Sequence, residues 1–94
     1  MFEIRQTDTY ADWFNRLRDI RAQARITARL TRLSTGHLGD VMPVGDGVSE
    51  LRIDYGPGYR VSFTRKGNTI VLFLCGGDKS SQARDIQRAK ELAR

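Results

Sequence analysis

The chain has 94 residues, 39% of them hydrophobic, and its 16 Lys and Arg against 11 Asp and Glu give a net charge of +5. This length predicts one domain, residues 1–94, and a single cysteine with a single histidine excludes an internal disulfide and a zinc site of three or four protein ligands. The longest apolar run, residues 70–75, is far shorter than the ~20 residues of a membrane span. The polar residues from Glu3 onward do not form a signal peptide. We therefore expect a cytoplasmic protein with no membrane partner.

The first elements predicted along the chain are a short strand and an amphipathic helix. Phe2, Ile4 and Gln6 alternate as in a strand, and the polar residues 7–9 suit a helix cap. An apolar stripe with the spacing i, i+3, i+4, i+7 then predicts a helix that packs on a sheet: Tyr10, Trp13, Phe14 and Leu17.

A second helix is predicted after a break at 19–21, and together the two helices form a hairpin. Its apolar positions keep helical spacing from Ala22 to Leu33, and Gly36 is suited to end it in the left-handed conformation. Another face of this segment carries a ridge of arginines at intervals of three or four: Arg18, Arg21, Arg25, Arg29 and Arg32. Such a ridge can bind RNA phosphates or an acidic protein, or can simply be a solvated face.

The second half of the chain changes to the period of β-strands. A loop over 37–47 contains a short strand at 41–44, and three apolar runs at 48–55, 59–63 and 70–75 are separated by Gly-Pro-Gly and Lys-Gly-Asn turns. A last helix is predicted over 82–93, with Ala83, Ile86, Ala89 and Ala93 inward. We therefore expect an α+β fold, with a mixed sheet that the helices cover.

Three segments of the second half carry a resemblance. ELRI (50–53), GYRV (58–61) and LCGGDKSSQ (74–82) resemble the RelE/ParE toxin superfamily, specifically its HigB-like addiction-module killer group. The resemblance implies an N-terminal strand, a helical hairpin, curved antiparallel strands and a C-terminal helix. It also implies the toxin of a type II toxin–antitoxin pair, a metal-independent ribosomal mRNA endonuclease without cofactor, whose partners are the ribosome, mRNA and an antitoxin that is commonly a helix-turn-helix protein.

The residues predicted to act are mostly basic. Cleavage of RNA without a metal requires the 2′-OH to attack phosphorus while fixed cations stabilise the developing charge. The resemblance places Arg60 at the phosphate-stabilising arginine and Lys79 at another basic catalytic position, with Arg52 on the preceding strand. His37 is the one side chain whose ordinary pKa lies near neutrality, which makes it a candidate acid or base.

The remaining site predictions concern RNA binding, and each has a structural alternative. Tyr55 and Tyr59 flank the Gly-Pro-Gly turn and can stack on bases, with a place in the core as the alternative for one of them. The ridge members Arg25, Arg29 and Arg32, with Ser80, can contact phosphate. Alternatively, Arg52 and Arg60 pair with Glu50 or Asp54 across the sheet.

Two further points bear on the chemistry. Asp78 is more suited to capping the last helix than to acting as a base, and Cys75 is expected to be a buried apolar side chain. The stretch 83–87 lacks the tyrosine that the superfamily's ribonucleases carry there. A toxin directed at DNA gyrase and a non-catalytic antitoxin-binding module therefore stay open as alternatives.

Overall fold

The computed structural model describes residues 2–67 and 69–94 as a five-stranded sheet with helices on both faces. The strands are β1 (Glu3–Gln6), β2 (Val41–Gly45), β3 (Val48–Ile53), β4 (Tyr59–Lys66) and β5 (Ile70–Gly77). The helices are α1 (Asp8–Arg16), α2 (Ile20–Ser34) and α3 (Gln82–Leu92), the last preceded by a 3₁₀ turn at Lys79–Ser81. The sheet order is β1-β5-β4-β3-β2, with β1 parallel to β5 and the other pairs antiparallel. The predicted α+β class and mixed sheet are confirmed.

The helix ends follow from local side-chain chemistry. The Thr7 side chain accepts from the Tyr10 amide at 3.1 Å and begins α1. Asp19 accepts from two amides and begins α2 one residue later, slightly before the predicted start. Gly36, at φ +96°, ends α2: its amide donates to Leu33 and the following amide to Arg32, as in a Schellman motif.

Two apolar clusters occupy the two faces of the sheet. On one face, α1 and α2 cover the core that contains Tyr10, Ile26, Leu51 and Phe73. On the other face, α3 packs Ala89 against a smaller cluster with Val48, Leu74 and Cys75. A bulge in β5 opposite Ser62 and Phe63 places the adjacent Leu74 and Cys75 in the same cluster.

The inward face of α3 differs from the prediction at one position. Ala89 is buried and Ile86 and Ala93 are partly buried, as predicted, but Ala83 is exposed. The physical reason is the helical period: Gln82 is seven positions before the buried Ala89 and so lies on the same face of α3, whereas Ala83, six positions before it, is turned away.

Cys75 is buried in the α3 cluster, in agreement with its predicted role as a small apolar residue. Burial raises the pKa of its thiol to about 11, from an ordinary value of 9.0. At pH 8 we expect its reaction with a disulfide reagent to be slowed about 100-fold by the charge state alone, because so little thiolate is present. The control is the same protein in guanidinium chloride, where the thiol should react at the rate of a free cysteine. Equal rates in the two solutions would contradict the buried placement.

None of the helices in the described ranges 2–67 and 69–94 combines the length and the apolar content that crossing a bilayer requires.

Candidate active site

A cavity of about 230 Å³ lies where β3 ends and β4 begins, on the face of the sheet that carries α3. It brings together four of the residues singled out from the sequence, which come from separate segments of the chain. Its lining residues are Asp40, Arg52, Ile53, Asp54, Gly58, Tyr59, Arg60 and Lys79.

The sheet register explains why the basic residues meet. Arg52 and Arg60 are directly opposite each other on β3 and β4, and Gly77 at the end of β5 is opposite Arg60. Cross-strand partners project on the same face, so both guanidinium groups lie on the α3 side. Gly58, at φ +78°, shapes the turn before β4, and a Cβ there would lie 3.5 Å from Lys79 Cγ. The aliphatic part of Lys79 therefore covers this turn.

Arg60 forms a nearly buried ion pair. Its Nη1 donates to Glu50 Oε1 at 2.8 Å, and Glu50, only 2% exposed, also accepts from Gln82 Nε2 at 2.9 Å. Arg60 Nε is buried and has no hydrogen-bond partner among the residues that the structure describes. The structural alternative raised from the sequence, a cross-sheet pair with Glu50, is therefore present at Arg60, although Arg60 also lines the cavity.

Arg52 and Lys79 are less constrained than Arg60. Arg52 Nη1 lies 4.0 Å from Asp40 Oδ1 and 3.9 Å from Met42 Sδ, contacts that leave its guanidinium partly exposed. Among residues 2–67 and 69–94, Lys79 has no carboxylate within ion-pair distance. These two cations are therefore the ones in the cavity that an incoming anion can reach at the lowest desolvation cost.

Tyr59 and Tyr55 have different surroundings although they flank the same turn. Tyr59 lines the cavity, and its ring meets Trp13 edge-on at 6.2 Å between centroids. The Tyr55 hydroxyl donates to Asp19 Oδ2 at 3.0 Å, with the Arg25 guanidinium 4.7 Å from its ring centroid. This hydrogen bond raises the pKa of Tyr55 and lowers the pKa of Asp19. Because Tyr59 is adjacent to Arg60 on β4, its ring projects on the α1 side of the sheet and packs against Trp13 and the core, so neither ring is offered to a base on the Arg60 side.

The predicted RNA-binding arginines of α2 are placed in three different ways. Arg25 lies over Tyr55, as described above. Arg29 Nη1 donates to the Arg52 carbonyl at 2.9 Å and so points at the sheet behind the cavity. Arg32 is exposed to solvent. The ridge is thus not uniformly solvated, and its contact with RNA stays a prediction.

His37 and Ser80 are both outside the lining of the cavity. His37 follows the end of α2, where its Nδ1 is 3.1 Å from the Thr35 hydroxyl. The Ser80 amide and hydroxyl both donate to Asp78 Oδ1, at 2.8 and 2.6 Å, and the hydroxyl bond lowers the pKa of Asp78. The geometry gives no support to a catalytic His37, whereas the expected capping role of Asp78 is confirmed at the 3₁₀ turn before α3.

Two residues of this region, Asp40 and Gln82, were not found from the sequence, and Glu50 was raised only as a structural partner of Arg52 or Arg60. Asp40 follows a left-handed glycine in a loop and carries no pattern that marks it. The alternation of Val48, Glu50 and Arg52 on one face of β3 was a usable signal for Glu50, because an acid between inward residues needs a partner. Gln82 could be found only from the packing of α3. Within the described part of the chain, no cluster of His, Cys, Asp and Glu suits a metal ion.

Comparisons with known proteins give the family. The model of the phage-derived protein Gp49-like family (DUF891) matches residues 12–94. A Haemophilus influenzae protein of uncharacterised function is 48% identical over 91 residues, which cover 97% of this chain and 92% of that protein. No solved structure matches the chain. The chain therefore belongs to the phage-derived Gp49-like family, a family of toxin–antitoxin type toxins related to RelE and ParE.

Proposed function

We propose that the protein is the toxin of a type II pair, of the HigB-like kind, and that it cleaves mRNA bound to the ribosome. The single observation that supports this is the cavity in which Arg52, Arg60 and Lys79 meet. Three cations at one site match what the charge of a phosphodiester requires. The family implies an antitoxin partner. That the antitoxin is a helix-turn-helix protein, and that the toxin acts in the cytoplasm, are parts of the proposal.

The chemistry divides among the residues of the cavity. Arg52 and Lys79 bind the non-bridging oxygens and stabilise the charge that develops as the 2′-oxygen attacks phosphorus. A carboxylate of the lining, Asp40 or Asp54, accepts the 2′-OH proton. The P–O5′ bond breaks, the 5′-oxygen takes a proton from the Lys79 ammonium, and a 2′,3′-cyclic phosphate remains. Arg60, held by Glu50, supplies an oriented positive charge.

In this proposal, carboxylates of the cavity take the proton-accepting role that a tyrosine near the final helix would otherwise have. The stretch 83–87 contains no aromatic residue, so the proton acceptor has to come from elsewhere in the site. Asp40 and Asp54 are the carboxylates that line the described cavity.

Arg52→Ala and Lys79→Ala are each expected to reduce mRNA cleavage ~10²–10³-fold, because each removes a cation that stabilises the transition state. The measurement is primer extension on translated mRNA after induction of each variant, with growth followed in parallel. The matched control is Lys66→Ala, at the opposite end of β4 from Arg60, which should cleave like the unaltered protein.

The same experiment separates the alternative targets. Growth arrest without new codon-linked mRNA ends would reject the ribonuclease. Accumulation of cleaved DNA complexes with an induced SOS response would select a gyrase-directed toxin. An intact protein without toxicity would select the non-catalytic antitoxin-binding module.

A further inference from the structure

Arg29 is an arginine whose guanidinium points at backbone rather than at solvent. Its Nη1 donates to the Arg52 carbonyl at 2.9 Å, and its Nη2 donates to the Leu38 carbonyl at 3.5 Å. The two acceptors are 14 positions apart in the chain, one in β3 and one in the segment before β2. Arg29 does not line the cavity itself.

The two segments that Arg29 joins are the ones that carry Arg52 and Asp40 into the cavity. The Arg52 amide donates to the Asp40 carbonyl at 2.9 Å, and the Arg52 guanidinium lies 4.0 Å from the Asp40 carboxylate. Arg29 thus adds a third and a fourth polar contact to the same pair of segments, from the opposite side of the backbone. Charge-assisted hydrogen bonds of this kind are roughly twice as strong as neutral ones.

The segment before β2 is shaped to receive the Arg29 side chain. Gly39 has φ +66°, a conformation that glycine adopts without strain, and a Cβ at this position would lie 2.6 Å from Arg29 Nη2. Any other residue at position 39 would push the guanidinium away. A glycine is therefore favoured here both by its backbone conformation and by the space that it leaves for the Arg29 guanidinium.

We propose that Arg29 is a positioning residue of the cavity, which holds the backbone of Arg52 and of the Leu38–Asp40 segment so that the Arg52 guanidinium faces a bound phosphodiester. The inference rests on the proposed function for the identity of that ligand. It assigns to one member of the arginine ridge a task distinct from contact with RNA. Loss of Arg29 should loosen the wall of the cavity while the core and α3 stay unchanged.

Amide hydrogen exchange measured by NMR on the purified full chain tests the positioning role. In Arg29→Ala, the Arg52 amide is expected to exchange about tenfold faster, because the local opening of this segment loses a hydrogen bond to a charged group. Amides within α3 should keep their rates. Arg29→Lys, which retains a cation able to reach one carbonyl, should recover part of the protection, and Arg88→Ala on α3 serves as the matched control with unchanged rates.

A binding measurement on the same samples tests whether the positioning of Arg52 by Arg29 affects the affinity of the cavity for RNA. The probe is a short single-stranded RNA with 2′-O-methyl groups, which cannot be cleaved, titrated while the Arg52 side-chain NMR signal is followed. We expect Arg29→Ala to bind it more weakly, with partial rescue in Arg29→Lys and none of the loss in Arg88→Ala.

The outcomes decide the two proposals separately. Equal acceleration of exchange at all amides of Arg29→Ala, or an unchanged Arg52 amide, would overturn the positioning role. If the unaltered protein fails to bind the RNA probe at Arg52, the proposed function is contradicted, whereas the exchange result still decides the role of Arg29.

Discussion

Glu50→Ala should lower the free energy of unfolding by about 3–5 kcal/mol, because it leaves the Arg60 guanidinium buried without a counterion. Both side chains are withdrawn from water, with side-chain exposures of 2% for Glu50 and 11% for Arg60. The same change removes the acceptor of the Gln82 side-chain amide. That hydrogen bond joins the start of α3 to the sheet. Denaturant unfolding at pH 7, followed by circular dichroism, measures the loss.

Two further variants make the Glu50 prediction specific. Glu91→Ala removes an exposed glutamate of α3 and should change stability by less than about 0.5 kcal/mol. Glu50→Leu combined with Arg60→Met removes both charges and should recover much of the loss, since a buried ion pair and an apolar pair of similar size are often close in stability. A Glu50→Ala protein as stable as Glu91→Ala would contradict the buried pair.

The ion pair also changes how an Arg60 variant has to be interpreted. Arg60→Ala leaves the Glu50 carboxylate buried and unpaired, so it is expected to destabilise the fold as well as remove a cation from the cavity. Loss of toxicity in that variant therefore does not by itself identify a catalytic group. Arg52 and Lys79, which have no buried ion-pair partner among residues 2–67 and 69–94, are the better positions for testing the chemistry.

Gly76→Ala is expected to destabilise the protein by about 2–3 kcal/mol, because an added Cβ would overlap the Trp13 ring. Trp13 cannot easily move, since it packs against Tyr10, with 5.8 Å between ring centroids, and against Tyr59. Gly76 in turn is paired with Val61 in the middle of the sheet, which prevents the strand from shifting. The measurement is the same denaturant titration.

A double-mutant cycle separates the overlap with Trp13 from any destabilisation that alanine would cause at position 76 of the strand by itself. Trp13→Ala alone costs about 3–5 kcal/mol in lost packing. In that background the Cβ at position 76 enters the space the ring has left, so Gly76→Ala should cost much less there than in the unaltered protein. Equal costs in both backgrounds would show that Trp13 is not the obstacle.

The segment LCGGDKSSQ thus has a structural basis at nearly every position. Gly76 admits Trp13 on the α1 side of the sheet, and Gly77 admits the Asp85 carboxylate and the Ser81 hydroxyl on the α3 side. Asp78 then caps the 3₁₀ turn with Ser81 in a capping box. The motif that carried the family resemblance therefore directs the chain from β5 into α3. It places Lys79 beside the cavity as a consequence.

The secondary structure was largely predictable from the sequence. The strands and helices were predicted close to their observed bounds, because each has a clear period: the stripe from Tyr10 to Leu17 for α1, and alternation for β3 and β4. The turns were marked by glycines and by capping side chains such as Thr7. These signals depend on residues that are a few positions apart, so they can be recognised in a single sequence.

Which residues form the candidate site depends on contacts between residues that are far apart in the sequence. The sequence pointed to Arg52, Arg60, Tyr59 and Lys79, and all four line one cavity, although the Tyr59 ring itself turns to Trp13 on the other face of the sheet. His37 was selected for its ordinary pKa alone, and that property carries no information on where the ring lies. Asp40 was not selected, since its position in the cavity comes from the pairing of β2 with β3 and not from its neighbours in sequence.

By itself, the sequence determined the order and type of the elements, the apolar faces of the helices and the family resemblance, since all of these depend on local periodicity and short motifs. Only the tertiary structure decided that Glu50 and Gln82 hold Arg60, that Arg29 turns inward to the Arg52 carbonyl, and that Gly76 faces a tryptophan from α1. Each of these contacts joins residues at least 10 positions apart, and which residues meet at that range depends on how the sheet orders its strands and where each helix packs.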